Sequence, residues 1–228
     1  MTHRDPRTAE VKAPAPRHLP WNAIFWLITA AFLGGAVFFA VGTYFKQQNL
    51  VSNDVAQIND GDKVKVVAVV NGDELIVTKG TAQARVRMLG IRAFDPVVNE
   101  REVTAFGHAS VSFLTQWTLN KTVTVVFDTP IMDVHGRYLA FVERANMDLN
   151  AKMLEEGIVM VYTEFETARE ALFLAAERLA RRSSRGIWGS KKAASRVVAL
   201  RQDWAHHRQE RTGGLPPDYL LSEKPEDP

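Results

Sequence analysis

The 228-residue chain has no cysteine, which excludes disulfides, thiolate zinc sites and a cysteine nucleophile. It also lacks an excess of one charge: 28 Lys and Arg stand against 26 Asp and Glu, a net +2. No glycine-rich phosphate loop and no nucleophile elbow occur, and there is no internal repeat. What remains is ordinary for a folded domain, 46% apolar and 24% charged, and that excludes wholesale disorder. The apolar residues, however, are unevenly spread.

Ile24 to Phe45 reads IFWLITAAFLGGAVFFAVGTYF, without a charge. As a helix rising ~1.5 Å per residue it would reach across a bilayer core. Trp21, Trp26 and Tyr44 stand at its ends, where interfacial aromatics belong. The run is longer than the apolar core of a cleaved signal peptide, so the expectation is an uncleaved transmembrane helix over 21–46. Arg4, Arg7, Lys12 and Arg17 precede it and only Lys46 follows closely. This bias places the N-terminus in the cytoplasm and the remainder outside it, in the periplasm if the source is bacterial. Residues 1–20, with four prolines among charges, read as a disordered cytoplasmic tail, and 47–61 as a polar linker.

From Asp62 the pattern changes. Val64, Val66, Ala68 and Val70 give one strand by alternation, and Asn71-Gly72 supplies turn chemistry with positive φ. Further strands are expected at 75–78, 84–89, 122–127 and 138–142, five in all, the count of an OB-type barrel. Helices fill the gaps: Val103, Phe106, Ser110, Phe113, Leu114 and Trp117 mark the first. Leu149 to Glu156, stopped by Gly157, forms the second. Ala168, Leu172, Ala175 and Leu179 give the inward stripe of the third. Beyond Trp188 the composition shifts, and 190–228 reads as a charged helix with an acidic tail, lying on the barrel or meeting a partner. The fold class is α+β, a five-stranded OB-type barrel with three helices.

Several local patterns then fall in one order: VVNGDELIV (69–77), VRMLGIRAFDP (86–96), FGHASVSFL (106–114), VTVVFD (123–128), DVHGRYLAFV (133–142), LNAKMLEEGIVMVY (149–162) and SRGIWG (184–189). Together they resemble the staphylococcal-nuclease-like (thermonuclease) family across 62–189. The resemblance implies calcium-dependent hydrolysis of phosphodiesters in nucleic acid. Such a reaction needs cations to neutralise charge on pentacoordinate phosphorus and an oriented water to attack. Position by position, it implies phosphate-gripping roles for Arg87 and Arg137, a metal-ligating role for Asp73, and for Asp95 the place of the water-orienting glutamate at the metal.

The departure lies in Ile91-Arg92-Ala93-Phe94-Asp95. Arg92 stands where the family has its second metal aspartate, Phe94 replaces a proline, and Asp95 is one methylene shorter than glutamate. Calcium takes several oxygen ligands, and a guanidinium offers none. Arg92 is therefore expected to pair with Asp73 or Asp95 where calcium would sit. His135 is a minor acid–base candidate in the 133–137 turn, His108 a solvated helix residue, and the adjacent His206 and His207 point apart on a helix. Residues 62–189 hold sixteen basic and sixteen acidic side chains, so general affinity for nucleic acid has no electrostatic support. Two readings follow: a membrane-anchored nuclease, or a catalytically degenerate barrel serving as a binding or scaffolding subunit among membrane proteins, through the barrel or residues 190–228.

Overall fold

The computed structural model describes residues 55–97 and 101–213, together with Trp21, Phe25, Trp26 and Thr29. The chain divides into two units, Met1–Val51 and Ser52–Pro228. In the first, the four described residues are helical, and Thr29 Oγ1 donates to the Phe25 carbonyl at 2.9 Å. The expected tail over 1–20, most of the transmembrane span over 21–46, the first half of the linker and the acidic end beyond 213 lie outside the described residues. Among the described residues no helix is long and apolar enough to cross a membrane.

The second unit is an α+β barrel. Its strands are β1 (Lys63–Asn71), β2 (Glu74–Lys79), β3 (Ala82–Met88), β4 (Ile91–Arg92), β5 (Thr122–Met132), β6 (Tyr138–Arg144), β7 (Met147–Asp148) and β8 (Met160–Val161). Five of them run in the order β3-β2-β1-β5-β6, and a parallel pairing of β6 with β3 closes the ring. Alternation drives this closure: Val64, Val66, Leu75, Val77, Val86, Val123 and Val125 all point into one core, while Lys63 and Lys65 face out. The short β4 pairs with β8 apart from the ring.

The helices are α1 (Arg101–Thr118), α2 (Leu149–Glu155), α3 (Glu170–Arg182) and α4 (Lys191–Thr212), with a 3-10 turn at Gly186–Gly189 before the last. Asp148 caps α2, its carboxylate accepting from Ala151 N at 3.0 Å. Ser190 caps α4 in the same way, and Gly213 ends it in the left-handed conformation. A second apolar cluster joins Phe94, Val103, Met160 and Ile187 to Ala193, Val197 and Trp204. The charged C-terminal segment thus lies against the domain and continues its core.

Three local expectations are corrected. Residues 55–61, read as linker, pack on the barrel: Ala56 and Ile58 are buried, and Ala56 N donates to the Gln83 carbonyl at 3.0 Å. In α3 the expected stripe points the wrong way. Leu172 and Leu179 are more than half exposed, whereas Phe173, Ala176, Glu177 and Ala180 face inward. The reason is Glu177, a buried carboxylate that a hydropathy pattern assigns to solvent. In the β1–β2 hairpin the loop residues are Gly72 and Asp73, between the paired Asn71 and Glu74. Neither Asn71 nor Gly72 has positive φ. Gly72 is needed for space, since a Cβ there would overlap Ser110 Oγ and lie 2.5 Å from Ala93 Cβ.

Candidate phosphodiester site

The hairpin turn carries Asp73 to the edge of the barrel. Asn71 Oδ1 accepts from Asp73 N at 3.0 Å, which fixes the turn, and Met88 N donates to the Asp73 carbonyl at 2.8 Å. The Asp73 carboxylate points inward. Its Oδ2 accepts from Ala93 N at 3.1 Å and from Arg87 Nη2 at 3.2 Å. Burial pushes its carboxyl pKa up; Arg87, the Ala93 amide and Arg92 offset part of that rise. Burial also draws the Arg87 guanidinium down, with Asp73 opposing and the like charges of Arg92 and Arg137 adding to the fall. Its side chain is only 12% exposed, so Arg87 is not a solvated strand arginine.

Arg137 arrives from the neighbouring strand, because β6 pairs with β3 through Val86–Tyr138 and Arg87–Leu139. Arg137 Nε donates to Asp133 Oδ2 at 2.7 Å, and Nη1 donates to Glu74 Oε2 at 2.9 Å. Burial works against its charge, but the bonds to Asp133 and Glu74 raise its pKa above the ordinary value. The Asp133 turn is also held by its Oδ1, which accepts from His135 N and Arg137 N. Burial pushes the Asp133 carboxyl up, and these bonds more than reverse it. Arg87, held by Asp73, and Arg137, held by the adjacent Glu74, named from the sequence, therefore come near enough for their charges to act on each other.

Glu74 was missed. It is 2% exposed and lies between two guanidiniums, accepting from Arg85 Nε at 2.6 Å on one oxygen and from Arg137 on the other. Its position depends on strand register, which sets Glu74 opposite Arg87 across β2 and β3 while its side chain reaches Arg85 and Arg137. Asp73, Glu74 and Asp133 thus balance Arg85, Arg87 and Arg137.

Arg92 tips this balance. It does not form the expected pair with Asp73 or Asp95; Arg87 holds Asp73 instead. The exposed Arg92 side chain projects from β4, with its guanidinium 6.0 Å from the Tyr162 ring centroid. No hydrogen bond or ion pair of Arg92 is found among the described residues. Its charge is felt by Asp73, Arg87 and Tyr162 alike. Tyr162 donates to Glu164 Oε2 at 2.7 Å, and burial, with this bond, pushes its hydroxyl pKa well up. Asp95 is exposed, with Oδ1 accepting from Val97 N at 2.8 Å; it stands apart from Asp73, on a cleft of about 350 Å³ that Arg92, Tyr162 and α4 also line. His135 and His108 are exposed, and His206 and His207 meet Glu210 and Glu164 separately.

These side chains do not suit the calcium that the resemblance implies. Among the described residues no three His, Asp or Glu side chains gather as a ligand set. The Asp73 carboxylate already accepts from Arg87 and Ala93, and the positive charge of Arg92 acts on it as well. A hard divalent cation needs an oxygen cage, and these residues do not make one.

A closed five-stranded barrel with an arginine pair at its edge defines the class, and comparison with known proteins agrees with it. The family described as staphylococcal nuclease homologue matches residues 85–190. An uncharacterized protein, MJ1439 of Methanocaldococcus jannaschii, is 31% identical over 54% of this chain and 70% of its own length. The thermonuclease of Staphylococcus intermedius is 30% identical over 43% of this chain and 58% of its own length. That of Staphylococcus hyicus is 31% identical over 41% and 56%. The chain belongs to the staphylococcal nuclease homologue family, and it spans somewhat more than half the length of the two thermonucleases.

Proposed function

We propose that this chain is a membrane-anchored protein of the nuclease family that grips phosphodiesters of nucleic acid at the barrel edge and hydrolyses them. The observation that carries the reading is the approach of Arg87, on β3, and Arg137, just before the paired β6, each held by one carboxylate of Asp73-Glu74. Hydrolysis concentrates negative charge on the phosphoryl oxygens, and fixed guanidiniums aimed at that charge stabilise the transition state without reorganisation. Arg87, Arg137 and the unpaired Arg92 supply that field from this chain's own residues. The apolar run over 24–45 holds the domain at the membrane, N-terminus in the cytoplasm and barrel outside it.

A second reading is favoured by one observation: Asp73 is already engaged by Arg87, and among the described residues no carboxylate set is left for calcium. In that reading the barrel is catalytically degenerate and binds a partner within a membrane assembly. The full chain in detergent, incubated with labelled single-stranded DNA and RNA, separates them. Cleavage abolished by Arg87→Ala supports the enzyme. Intact substrate at every metal condition, together with a partner co-purified from solubilised membranes, overturns it in favour of the subunit.

A further inference from the structure

Helix α4 begins one residue after the family match ends, yet it reaches back to the site. Its inward stripe is anchored by Ala193, Val197 and Trp204 in the second core and by two buried ion pairs, Arg201 with Glu177 and Arg208 with Glu170. These contacts fix the rotation of the helix. Arg196, Leu200 and Trp204 therefore form a single i, i+4, i+8 ridge, and all three line the cleft opposite Arg92.

The cleft is polar at its mouth and apolar within. Trp204 is buried and meets Tyr162 edge-on with ring centroids 4.9 Å apart, so the aromatic pair forms a wall rather than an open stacking face. Four charged side chains line it. Glu164 is engaged by the Tyr162 hydroxyl, His207 and Arg211, and Asp95 by Val97 N. Arg92 and Arg196 are both exposed, and neither has an ion pair or hydrogen bond among the described residues. A volume of about 350 Å³ lies at the small end of ligand clefts.

We propose that Arg196 of α4 and Arg92 of β4 form a second phosphate-binding position, so that a single nucleic-acid strand gripped at Arg87 continues between the barrel and α4. This rests on the phosphodiester reading of the Arg87 site and adds to it the direction of the strand and a residue outside the family match. Arg92 is the link, since its charge acts on Arg87 while its side chain lines the cleft. The occupant is a polyanion with regularly spaced phosphates; a mononucleotide at Arg87 carries no second phosphodiester for α4.

The test is the affinity of the full chain, solubilised in detergent, for a mononucleotide and for a single-stranded octanucleotide, followed across a salt series. Arg196→Gln is expected to weaken octanucleotide binding about three- to tenfold at low salt, as befits one charge-assisted contact. It should also flatten the salt dependence by ~0.7 in log–log slope, the loss of one phosphate contact on a single strand. Mononucleotide binding and the melting temperature should not change, and Arg196→Lys should keep the slope. Equal octanucleotide affinity and slope in Arg196→Gln, with binding still lost in Arg87→Ala, overturns the second position and leaves the Arg87 site standing. Binding unaffected by Arg87→Ala overturns the phosphodiester reading itself.

Discussion

Two of the groups of arginine–carboxylate pairs in this domain look alike until their surroundings are compared. Behind the barrel, Arg201–Glu177 and Arg208–Glu170 join α4 to α3, each side chain at most 10% exposed. Every oxygen there is used: Glu177 Oε2 also accepts from Val161 N at 2.8 Å, and Arg208 also donates to the Thr163 carbonyl at 3.1 Å. At the barrel edge, Arg87 and Arg137 are more open, at 12% and 18%, and the unpaired Arg92 stands beside them. The first group is closed to any ligand and fixes a helix. The second keeps an unbalanced positive charge at its mouth. Buried ion pairs are therefore poor markers of function here; the marker is an arginine left over when the pairs have been formed.

The comparison breaks most visibly where a buried pair is halved. Glu177→Ala leaves Arg201 buried without a counter-charge and Val161 N without an acceptor, and should cost about 3–5 kcal/mol in chemical unfolding. A loss under about 1 kcal/mol would mean that the pair is solvated and the α3–α4 contact loose. Gly72→Ala acts at the other group. The added methyl pushes into Ser110 and Ala93 and should cost about 1–3 kcal/mol by overpacking. It should also weaken ligand binding, because Ala93 N orients Asp73.

The pH dependence of stability sharpens the contrast within the edge group. Asp73 has a raised carboxyl pKa in the fold. Its contribution is fully present below its ordinary 3.8 and is lost as the pH rises through the folded value. Asp133 has a lowered pKa, so its contribution is present above 3.8 and is lost as the pH falls through the folded value. Urea midpoints followed against pH should show the downward limb removed by Asp73→Asn and the acid-side loss removed by Asp133→Asn. The smallest effect belongs to the surface. Lys152, paired with Glu155 and Glu156 on α2, should tolerate Lys152→Ala with a change below about 0.5 kcal/mol.

Much of the barrel was legible because strands announce themselves by alternation. Val64, Val66, Val123 and Val125 face inward as their period of two requires. The rotation of α3 was not legible: Leu172 and Leu179 have the spacing of a core stripe, but Phe173 packs against Phe141 and Glu177 must reach Arg201. At the site, the positions of Arg87, Arg137 and Asp73 were readable from local patterns. Which acid each arginine meets was not, since pairing depends on strand register. Hence Arg92 was expected to take Asp73 or Asp95, whereas Arg87 is the residue that faces Asp73. Glu74 and Arg196 escaped notice for the same reason, one opposite a strand and the other across a cleft far along the chain.

The central claim is that this site holds phosphodiesters through guanidinium groups, with no carboxylate set for calcium. It is tested most directly by the binding of a labelled single-stranded oligonucleotide to the full chain, measured with calcium and again with a chelator. Equal affinity is expected in both, within about twofold, because a ligand stabilised by a bound ion would follow the ion's concentration. Loss of binding in Arg87→Ala is also expected under either condition. Binding that appears only with calcium, and disappears in Asp73→Ala, would contradict it.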